Sequence, residues 1–483
     1  MKILMASSEM HPYSKTGGLG DMVAGLAKTL ARLGHQVGIV TPLYRGIRSR
    51  HSQLRKLDWR LALELGPRTV TGEIWVEEPV PGLTLYFVQQ AQFFDRHGIY
   101  SESGSDYADN ADRFVFLSKA AVHLARYLPW QPEVVHAHDW QTGLIPILAQ
   151  HEQRARGWST RPPVMLTIHN LAYQGTFAAG AFQLTNLPWS QFTIQTAEFY
   201  GAMNCLKCGI ACADVITTVS PRYAREITTE EFGCGLDGLL RERIGVLHGV
   251  INGVDYDDWN TTRNPFLPAH YSAADWRGKE ANKTALLAEL GLVKTAGVPL
   301  FGSITRLAEQ KGVDLLVPAL EEMLTREPMQ FVMLGSGDPG YERAVHQLEK
   351  RHPGRVAIRI GYDPGLAHRI EAACDFYLMP SRFEPCGLNQ LYSLRYGTVP
   401  VVRAVGGLDD TVVDAQENAL AATGIKFCEY SPAALTQAIR KALALYASPA
   451  ALQRFRANGM AADFSWDQTA RRYLELYRRG AAR

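Results

Sequence analysis

Short apolar runs alternate with amphipathic helical segments along almost the whole chain, and this alternation limits the fold more than any other feature. In the first half the runs are KILMAS, QVGIVTP, LTLYFVQ, EVVHAHD, VMLTIHN and DVITTVS. In the second half they are PLFGSITRL, QFVMLGSG, VAIRIGYD, DFYLMPSR and VPVVRAVGG. Apolar strands separated by helices are typical of parallel sheets built from βαβ units. Two successive series therefore predict an α/β protein with two doubly wound, Rossmann-like domains.

Chain length also favours two domains, because 483 residues exceed the ~100–200 residues of a typical domain. The segment GVINGVDYDDWNTTRNPFLPAHYSAADW is rich in Asn, Asp, Pro and Trp and has no periodicity. We place the domain boundary in it, near residue 255, so that an N-terminal domain covers 1–254 and a C-terminal domain covers 255–463. The remaining 464–483 contain FSWDQTARRYLELYRR, whose spacing predicts a final amphipathic helix.

The balance of charge excludes two classes of partner. Fifty basic residues against 48 acidic ones leave a formal charge of +2, so no bulk field attracts nucleic acid or an anionic membrane.

No run reaches the ~18 consecutive apolar residues that span a bilayer, and MKILMASSEMHPYSK turns polar too early for a secretion signal. Seven cysteines without framework spacing indicate reduced thiols. We expect a cytoplasmic protein in which any anion site is local.

Two sequence patterns imitate metal sites. Cys205, Cys208 and Cys212 stand at i, i+3 and i+7, which is one face of a buried helix, and no second ligand pair lies nearby. The D-x-D pattern at Asp255 and Asp257 lies in the boundary segment, where turn formation explains both carboxylates. We expect neither a bound metal nor a cofactor.

The first predicted strand and helix are joined by SSEMHPYSKTGGLGDM, which combines Lys15 with the adjacent glycines Gly17 and Gly18. Glycines allow backbone amides to approach a ligand closely, and the start of the following helix favours negative charge. Together with the charge of the lysine, the turn predicts a phosphate site. The alternative interpretation is an ordinary tight turn with an exposed lysine.

The second domain carries further candidates at strand ends, where doubly wound sheets bind ligands. Arg306 and Lys311 in SITRLAEQKGVD follow a strand and precede a helix, which suits the charges of a diphosphate, although solvated loops also carry such residues. Glu384, Cys386 and Gly387 in MPSRFEPCGLNQLYSLRYGTVPVV place a carboxylate for sugar hydroxyls beside backbone amides for phosphate oxygens. A further glycine pair follows in AVGGLDDTV.

Two strands of the first half end in polar residues suited to a polyol. VVHAHDWQTG delivers His136, His138 and Asp139, and LTIHNLAYQG delivers His169 and Asn170. No HExxH or comparable carboxylate set accompanies these histidines, so a metal site is not indicated. Asp139 and His169 together offer hydrogen-bond partners of both kinds for sugar hydroxyls, whereas either residue alone is compatible with a structural role.

One motif favours a different class of enzyme, an NAD-linked oxidoreductase. GSGDPG at residues 335–340 matches the dinucleotide pattern G-x-G-x-x-G after a strand and before YERAVHQLEK. The match lies in the second domain, and the turn of the first domain departs from the dinucleotide pattern. The sequence has no G-x-x-x-x-G-K-[ST] loop, which argues against a P-loop ATPase.

Six ordered motifs together closely resemble the bacterial glycogen synthase and plant starch synthase family: KTGGLGD, HAHDWQTGL, TIHNLAYQG, NGVD, RLAEQKGVD and PSRFEPCGLNQLYSLRYGTVPVVR. The match runs from residue 1 to about 467. It implies a GT-B fold, in which two Rossmann-like domains border a cleft and the last helix packs back on the N-terminal domain. It also implies transfer of glucose from ADP-glucose to the non-reducing end of an α-1,4-glucan, such as glycogen or a maltooligosaccharide, with retention of configuration.

The resemblance further implies roles for the matching residues. The implied catalytic residues are His169 near the 6-hydroxyl of the transferred glucose, Arg306 and Lys311 at the leaving diphosphate, and the donor-site carboxylate Glu384. The implied substrate-binding residues are Lys15, Gly17, Gly18, Asp21, Tyr100, Asp139, Asn170, Asn252, Tyr362, Cys386, Gly387 and Leu388. Among these, Lys15 resembles a donor-phosphate binder, Asn252 a residue of the glucose pocket, and Tyr362 an aromatic wall against adenine.

Two positions depart from the family pattern. Some retaining relatives carry a second glutamate eight residues after the first, where this chain has Tyr392, and several members have threonine where it has Asn389. The first departure favours the synthase group and removes one candidate carboxylate. Two alternatives stay open within the resemblance. One is a retaining glycosyltransferase that uses UDP-glucose or another acceptor, and the other is a non-catalytic glucan-binding relative, which the intact charged residues argue against.

Overall fold

The computed structural model describes residues 1–481 and divides into two compact units. Unit 1 contains Met1–Val219, Ala224–Gly253 and the chain from Trp466 onward. Unit 2 contains Val254–Ser465 and the short segment Ser220–Tyr223. No sequence pattern predicted that this short segment would belong to unit 2. Both termini of the described chain lie in unit 1.

The strands of unit 1 include every apolar run predicted for the first half. They are β1 Lys2–Ala6, β2 Gln36–Pro42, β3 Arg55–Leu65, β4 Arg68–Val80, β5 Leu83–Gln89, β6 Ser101–Glu102, β7 Ser105–Asp106, β8 Val134–His138, β9 Val164–Ile168, β10 Thr176–Ala178, β11 Glu198–Phe199, β12 Ala202–Asn204, β13 Val215–Thr218 and β14 Leu247–Gly249. The main sheet has nine strands in the order β14-β13-β9-β8-β1-β2-β5-β4-β3. From β14 to β5 all neighbours are parallel.

The parallel sheet of unit 1 is extended at one edge by antiparallel strands that the sequence did not predict. β3 and β4 form an antiparallel hairpin, and β4 pairs antiparallel with β5. Along β3 and β4 buried and exposed residues alternate, as they do in strands with one face in solvent. Continuous apolar runs are typical of strands buried on both faces, so they do not reveal a hairpin with alternating exposure.

Helices pack against the strands of unit 1. Its α-helices are α1 Gly18–Arg32, α2 Ile47–Arg50, α3 Ala91–Phe94, α4 Asn110–Tyr127, α5 Ile145–Arg156, α6 Cys205–Cys212, α7 Pro221–Glu226, whose first residues belong to unit 2, and α8 Asp237–Glu242. Cys205 and Cys208 are buried in α6, as predicted, whereas Cys212 at the end of the helix is only partly buried.

Unit 2 is a parallel sheet of six strands. They are β15 Leu300–Ile304, β16 Gln330–Gly335, β17 Val356–Ile360, β18 Phe376–Met379, β19 Val399–Arg403 and β20 Ile425–Phe427. Their order is β17-β16-β15-β18-β19-β20, so the chain reverses its direction of travel between β15 and β18. Ligands of doubly wound folds bind at the carboxyl ends of strands at such a switch point. The predicted strands of the second half are all present, and only the short β20 was missed.

The helices of unit 2 pack on both faces of this sheet. They are α9 Arg277–Leu290, α10 Val313–Arg326, α11 Pro339–Arg351, α12 Pro364–Ala373, α13 Asn389–Arg395, α14 Gly406–Thr411, α15 Pro432–Tyr446 and α16 Pro449–Ala461. One buried apolar cluster includes Phe301, Phe331 and Phe376, and a second includes Val332 and Ile370. The sheet is thus buried on both faces, which leaves its carboxyl edge for polar chemistry.

The last helix, α17 Trp466–Ala481, belongs to unit 1 and packs on α1, β8 and β9. Its apolar side buries Trp466, Tyr473 and Tyr477. A Cβ added to Gly25 of α1 would lie 2.2 Å from the Trp466 ring, so the indole occupies the space that a side chain on α1 would need. Within residues 1–481 we find no helix both long and apolar enough to cross a membrane.

Candidate active site

The switch point of unit 2 holds an ion pair between two predicted site residues. Lys311 ends a 3₁₀ turn after β15, and Glu384 lies in the loop after β18. The Lys311 Nζ lies 2.6 Å from Glu384 Oε2, with side chains 19% and 6% exposed. The hydroxyl of Ser381 donates to the same carboxylate oxygen at 3.0 Å. The structure therefore brings a cation and a carboxylate together where a ligand of this fold binds.

Gln310, which the sequence analysis missed, joins Arg306 to the loop that carries Glu384. Its side-chain oxygen accepts a hydrogen bond from the exposed Arg306 guanidinium at 3.1 Å. Its side-chain amide donates to Phe383 O at 3.4 Å, and its backbone carbonyl accepts from Arg382 N at 2.9 Å. The position of Gln310 between Arg306 and Lys311 is the one signal in the sequence that pointed to it.

The backbone around Glu-Pro-Cys-Gly is held by the glycine pair of α14. Gly406 has φ +44, and a Cβ there would lie 1.9 Å from Glu384 O, so this position requires glycine. The next residue, Gly407, donates its amide to Glu384 O at 3.1 Å. Cys386 is buried, and Gly387 has φ +70. The predicted glycine pair, Gly406 and Gly407, therefore holds the loop that carries Glu384 in place.

Helix α13 starts directly after this loop. Leu388 is its N-cap residue, and no side chain caps the helix. Asn389 donates from its side-chain amide to Ile304 O and to Tyr377 Oη, which ties α13 to the end of β15. Tyr392 lies flat on Trp259, with ring centroids 3.7 Å apart and planes 2° apart. The position where some relatives carry a second carboxylate is therefore part of an aromatic stack.

Tyr362 lies in the loop after β17, at the same carboxyl edge of unit 2. It is 82% exposed, so the ring is accessible to a planar group. β17 is two strands away from β15 in the sheet. The structure thus places Tyr362 on the predicted edge but not beside Lys311.

In unit 1, the glycine turn is organised by Glu9, a second residue that the sequence analysis missed. Its carboxylate accepts hydrogen bonds from Thr16 N at 2.7 Å and from Gly17 N at 3.3 Å. The hydroxyl of Tyr100 donates to the same carboxylate at 2.7 Å and lies 2.7 Å from Ser8 Oγ. The Gly17 amide and the Tyr100 hydroxyl are therefore engaged within the protein. One glutamate in a loop gave no pattern from which this could be predicted.

Lys15 and Asp21, both predicted site residues, form a salt bridge of 2.7 Å and remain partly exposed. α1 starts at Gly18, and its N-cap residue Gly17 offers no side-chain acceptor to the first turn. Uncapped amides at a helix start, next to a lysine, are the features from which anion sites are built. The local geometry therefore keeps the features from which the phosphate site was predicted.

Asp139 and His169 meet at the adjacent ends of β8 and β9. Asp139 has φ +56 and turns its carboxylate onto the His169 amide, 2.7 Å from Oδ1. Burial raises the pKa of Asp139 to about 7, opposed by hydrogen bonds from the backbone amides of His169 and Asn170. Burial also lowers the pKa of His169 to about 3, so this ring is neutral at pH 7. The site therefore combines a neutral imidazole with a carboxyl group that titrates near neutrality.

Asn252 and Asn170 differ in how their side chains are used. Asn252 is buried, and its side-chain oxygen has no hydrogen-bond partner within residues 1–481. A buried acceptor without a partner is costly and often marks a ligand or water site. Asn170 Oδ1 instead accepts from Ala172 N at 3.1 Å, which forms a local turn.

The GSGDPG and D-x-D patterns, which suggested a dinucleotide site and a metal site, each have a local explanation in the structure. In GSGDPG, the Asp338 carboxylate caps α11 by accepting from Gly340 N at 2.7 Å and Tyr341 N at 3.2 Å, so a negative charge occupies the place of a pyrophosphate. At D-x-D, Asp255 Oδ1 accepts from Asp257 N at 2.9 Å, as the predicted turn requires. In the part of the chain that the structure describes, no group of three or more His, Cys, Asp or Glu side chains is arranged to hold a metal.

Two family models match the sequence. The model described as starch synthase catalytic domain matches residues 2–242, and the model for glycosyl transferases group 1 matches residues 292–460. A glycogen synthase of Anaeromyxobacter sp. (strain Fw109-5) is 48% identical over 100% of both chains. The glycogen synthases of Myxococcus xanthus (strain DK1622) and Syntrophotalea carbinolica (strain DSM 2380 / NBRC 103641 / GraBd1) are 47% and 45% identical over 99% of each chain.

Two solved structures extend the comparison to the fold. The catalytic domain of starch synthase IV from Arabidopsis thaliana, bound to ADP and acarbose, matches with a TM-score of 0.90 at 35% identity, over 100% of this chain and 99% of that one. A sucrose-phosphate synthase from Thermosynechococcus elongatus matches with a TM-score of 0.62 at 20% identity, over 100% and 99%, and supports the fold alone. The expected GT-B fold is confirmed by the first of these matches.

Proposed function

Because this chain belongs to the family of bacterial glycogen synthases and plant starch synthases, we propose that it transfers glucose from ADP-glucose to the non-reducing end of an α-1,4-glucan. The reaction retains the anomeric configuration, elongates the glucan and releases ADP. The chain is a glycosyltransferase, and its partners are the sugar nucleotide and a glucan such as glycogen or a maltooligosaccharide.

The observation that carries the proposal is the Lys311–Glu384 pair at the switch point of unit 2, with Arg306 in the adjoining loop. Cleavage of the glucosyl–phosphate bond builds negative charge on the departing ADP. Preorganised cations aimed at that charge lower the barrier, usually as the largest electrostatic contribution in such a site. We assign Arg306 and Lys311 to the diphosphate and Glu384 to the donor hydroxyls, with Cys386, Gly387 and Leu388 presenting their backbone beside it.

The remaining assignments follow from the local geometry of each unit. Lys15 and the amide of Gly18 at the start of α1 bind phosphate, and Gly17, whose amide donates to Glu9, shapes the turn that presents them. His169 and Asn252 contact the transferred glucose, and Asn170 supports the His169 loop. Asp21, Tyr100 and Asp139 serve the acceptor side, where Tyr100 acts through its contact with Glu9. Tyr362 offers its exposed ring to adenine.

The mechanism of retention is front-face attack within an ion pair. The two candidate carboxylates are already bound within the protein, because Glu384 accepts from Lys311 and Ser381 and Asp139 accepts from the His169 amide. The ion pair with Lys311 lowers the nucleophilicity of Glu384, and the pKa of about 7 leaves Asp139 partly protonated at neutral pH, so both favour the ion-pair route over a covalent intermediate. A stable glucosyl adduct on either residue, detected by mass spectrometry after a slow donor substrate, would overturn this step.

The test of the function is a transfer assay with two labelled donors. The native chain is incubated with glycogen and either ADP-glucose or UDP-glucose, and label in precipitated polymer is measured. We expect incorporation from ADP-glucose and release of ADP. Preferred incorporation from UDP-glucose would support the related UDP-dependent transferase instead, and incorporation from neither would overturn the proposal. Digestion of the product by an exo-acting α-1,4-glucanase checks the linkage.

We also propose a cytoplasmic location. Six cysteines within residues 1–481 are free thiols, namely Cys205, Cys208, Cys212, Cys234, Cys374 and Cys428, and Cys208 and Cys212 are neighbours on one helix. Unpaired thiols in this number suit a reducing compartment. Fractionation of the native host, with the enzyme assayed in each fraction, tests the location.

A further inference from the structure

Two consecutive residues at the end of β8 hold His169 by its main chain and by its ring. Asp139 accepts the His169 amide, as described above, and Nδ1 of His138 lies 3.1 Å from Nε2 of His169. His138 is itself fixed by Thr142, whose hydroxyl accepts from His138 N at 2.7 Å and donates to His138 O at 2.8 Å. The relation is built into the sheet, because β8 and β9 are parallel neighbours with His138 opposite Thr167.

The hydrogen bond between the His138 and His169 rings has a defined donor and a defined acceptor. Burial lowers the pKa of His169 to about 3 and the pKa of His138 well below its ordinary value, so both rings are neutral near pH 7. A neutral imidazole has one N–H and one lone pair. The second ring nitrogen of His138, Nε2, is buried and has no hydrogen-bond partner within residues 1–481. Buried N–H groups without an acceptor are rarer than under-satisfied acceptors, so Nε2 carries the lone pair and Nδ1 carries the proton.

We propose that His138 is a positioning residue that donates from Nδ1 to Nε2 of His169 and thereby holds His169 in the tautomer with its own proton on Nδ1. His169 then presents a hydrogen-bond donor to the 6-hydroxyl oxygen of the transferred glucose. This inference rests on the proposed function, and it adds a residue that touches no substrate and to which the family resemblance gave no role. Through the tautomer of His169, His138 determines whether the sugar hydroxyl meets a hydrogen-bond donor or an acceptor.

The unusual backbone of Asp139 fits the same purpose. A φ of +56 with ψ −170 is a region that residues other than glycine rarely adopt, and such conformations persist where the surrounding structure requires them. Here the conformation turns the Asp139 carboxylate onto the His169 amide, while the preceding residue reaches the His169 ring. Orientation and protonation of one imidazole are thus fixed by adjacent residues.

A spectroscopic test addresses the tautomer directly. The protein is labelled with ¹⁵N-histidine, and the ring resonances of His169 are assigned by their loss in His169→Gln. We expect the native shifts to show the proton of His169 on Nδ1, and we expect His138→Phe to shift this ring towards a mixture of tautomers. A native ring with its proton on Nε2 would overturn the proposal, whether or not the chain transfers glucose.

A kinetic test uses ADP-glucose and ADP-6-deoxyglucose, which lacks the hydroxyl in question. Loss of one neutral hydrogen bond should lower kcat/KM for ADP-glucose about tenfold in His138→Phe, and lower it at most about twofold for the deoxy donor. His138→Asn, whose amide lies near the position of Nδ1, should recover most of the activity with ADP-glucose. Equal losses with both donors would show a merely structural role and contradict the proposal.

His136→Phe is the matched control. His136 is a second buried histidine on β8, and its ring lies 4.0 Å from that of His138, but it bonds to Thr167 and Tyr477 rather than to His169. We expect this substitution to affect both donors equally. If the native protein used neither donor, the proposed function would fail, whereas the spectroscopic result would still decide the role of His138.

Discussion

Lys311 and Glu384 are 73 positions apart in the chain, yet their charged atoms lie 2.6 Å apart in unit 2. The carboxylate is almost fully buried, while the lysine keeps about a fifth of its side chain accessible. Glu384 therefore depends on Lys311 for its charge balance, and Lys311 retains an accessible side for a second anion. Removal of one member leaves the other buried without its counterion, which is the costly way to break such a pair.

Substitution of Lys311 by Gln should therefore reduce stability as well as catalysis. We expect kcat with ADP-glucose to fall on the order of 10²–10³-fold, as for other lost transition-state donors. Steady-state kinetics on purified protein, with folding checked by circular dichroism, measures this.

Lys283→Gln serves as the matched control for that experiment. Lys283 is another buried lysine of unit 2, and it pairs with Asp375 at 2.7 Å near the start of β15 and β18, at the opposite edge of the sheet. This variant should lose stability but keep kcat per folded molecule. Similar kcat values for native protein and Lys311→Gln would contradict the assignment.

At the scale of single residues, sequence reasoning found charged groups at strand ends better than the residues that orient them. Lys311 and Glu384 were predictable because the carboxyl edge of a doubly wound sheet is where ligands bind. Glu9 and Gln310 were not, since a lone polar residue in a loop has no periodicity. His138 was noted in the sequence, but its relation to His169 needs the register of β8 and β9.

The adjacent ends of β8 and β9 should make unit 1 sensitive to mild acid. His136, His138 and His169 are buried, and burial lowers the pKa of His136 and His169 to about 3 and that of His138 well below its ordinary value. On unfolding below pH 6.5 each ring takes up a proton, so stability is present above 6.5 and is lost as pH falls. Asp139, with its pKa raised to about 7, acts in the opposite direction but is a single group.

Each histidine that is neutral in the folded state and protonated in the unfolded state should lower the free energy of unfolding. We expect a loss of about 1.4 kcal/mol per histidine for each pH unit below 6.5. Thermal midpoints between pH 7.5 and 5 measure the slope. His136→Phe, which removes one of the three groups, should give a shallower slope than the native protein. A midpoint independent of pH over this range would contradict the prediction.

Helix α17 should depend on the absence of a side chain at residue 25. An alanine Cβ at that position would lie 2.2 Å from the Trp466 ring, so either the ring or the helix must move. We expect Gly25→Ala to cost about 1–3 kcal/mol of stability, the usual range for overpacking. We also expect faster proteolysis within α17. Chemical denaturation and limited proteolysis followed by mass spectrometry measure the two effects.

Gly245→Ala is the control, because a Cβ there meets no heavy atom within 4 Å. It should change stability by no more than about 0.5 kcal/mol. Equal stability of the two variants would show that Trp466 does not hold the helix against α1.

Strands and helices with a clear hydrophobic pattern were predictable from the sequence. Strands that are recognised only by their pairing with a neighbouring strand were not. The buried strands of both sheets appear as continuous apolar runs, and α17 shows a clear apolar face. The β3–β4 hairpin has alternating exposure and sits at an edge, so its identity depends on its pairing with β5. The short β14 and β20, of three residues each, carry too few positions for any pattern.

For the molecule as a whole, the formal charge of +2 means that any attraction for a diphosphate comes from a few placed cations. Arg306 and Lys311 are the candidates in unit 2, and with them the reaction should not require a divalent ion. We expect activity to survive dialysis against EDTA within about twofold, because the leaving charge is met by side chains. The transfer assay before and after dialysis measures this. Activity lost to EDTA and recovered with Mg²⁺ would contradict the assignment.

The two-domain organisation was predictable from the restart of the strand pattern, whereas the path of the chain was not. A boundary near residue 255 follows from the loss of periodicity there. The assignment of Ser220–Tyr223 to unit 2 rests on contacts such as the Ser220 hydroxyl donating to Pro385 O at 2.6 Å. These four residues form no run of their own, so only the tertiary structure reveals their membership.

The return of α17 to unit 1 has a consequence for the order of events during synthesis. The ribosome completes every segment of unit 2 before Trp466 is translated, but unit 1 lacks a helix against α1, β8 and β9 until residues 466–481 have been translated. The later-encoded unit can thus mature first, and the nascent N-terminal sheet must wait with an uncovered apolar surface. Ribosome-bound chains stalled shortly before residue 466 should accordingly recruit chaperones through unit 1.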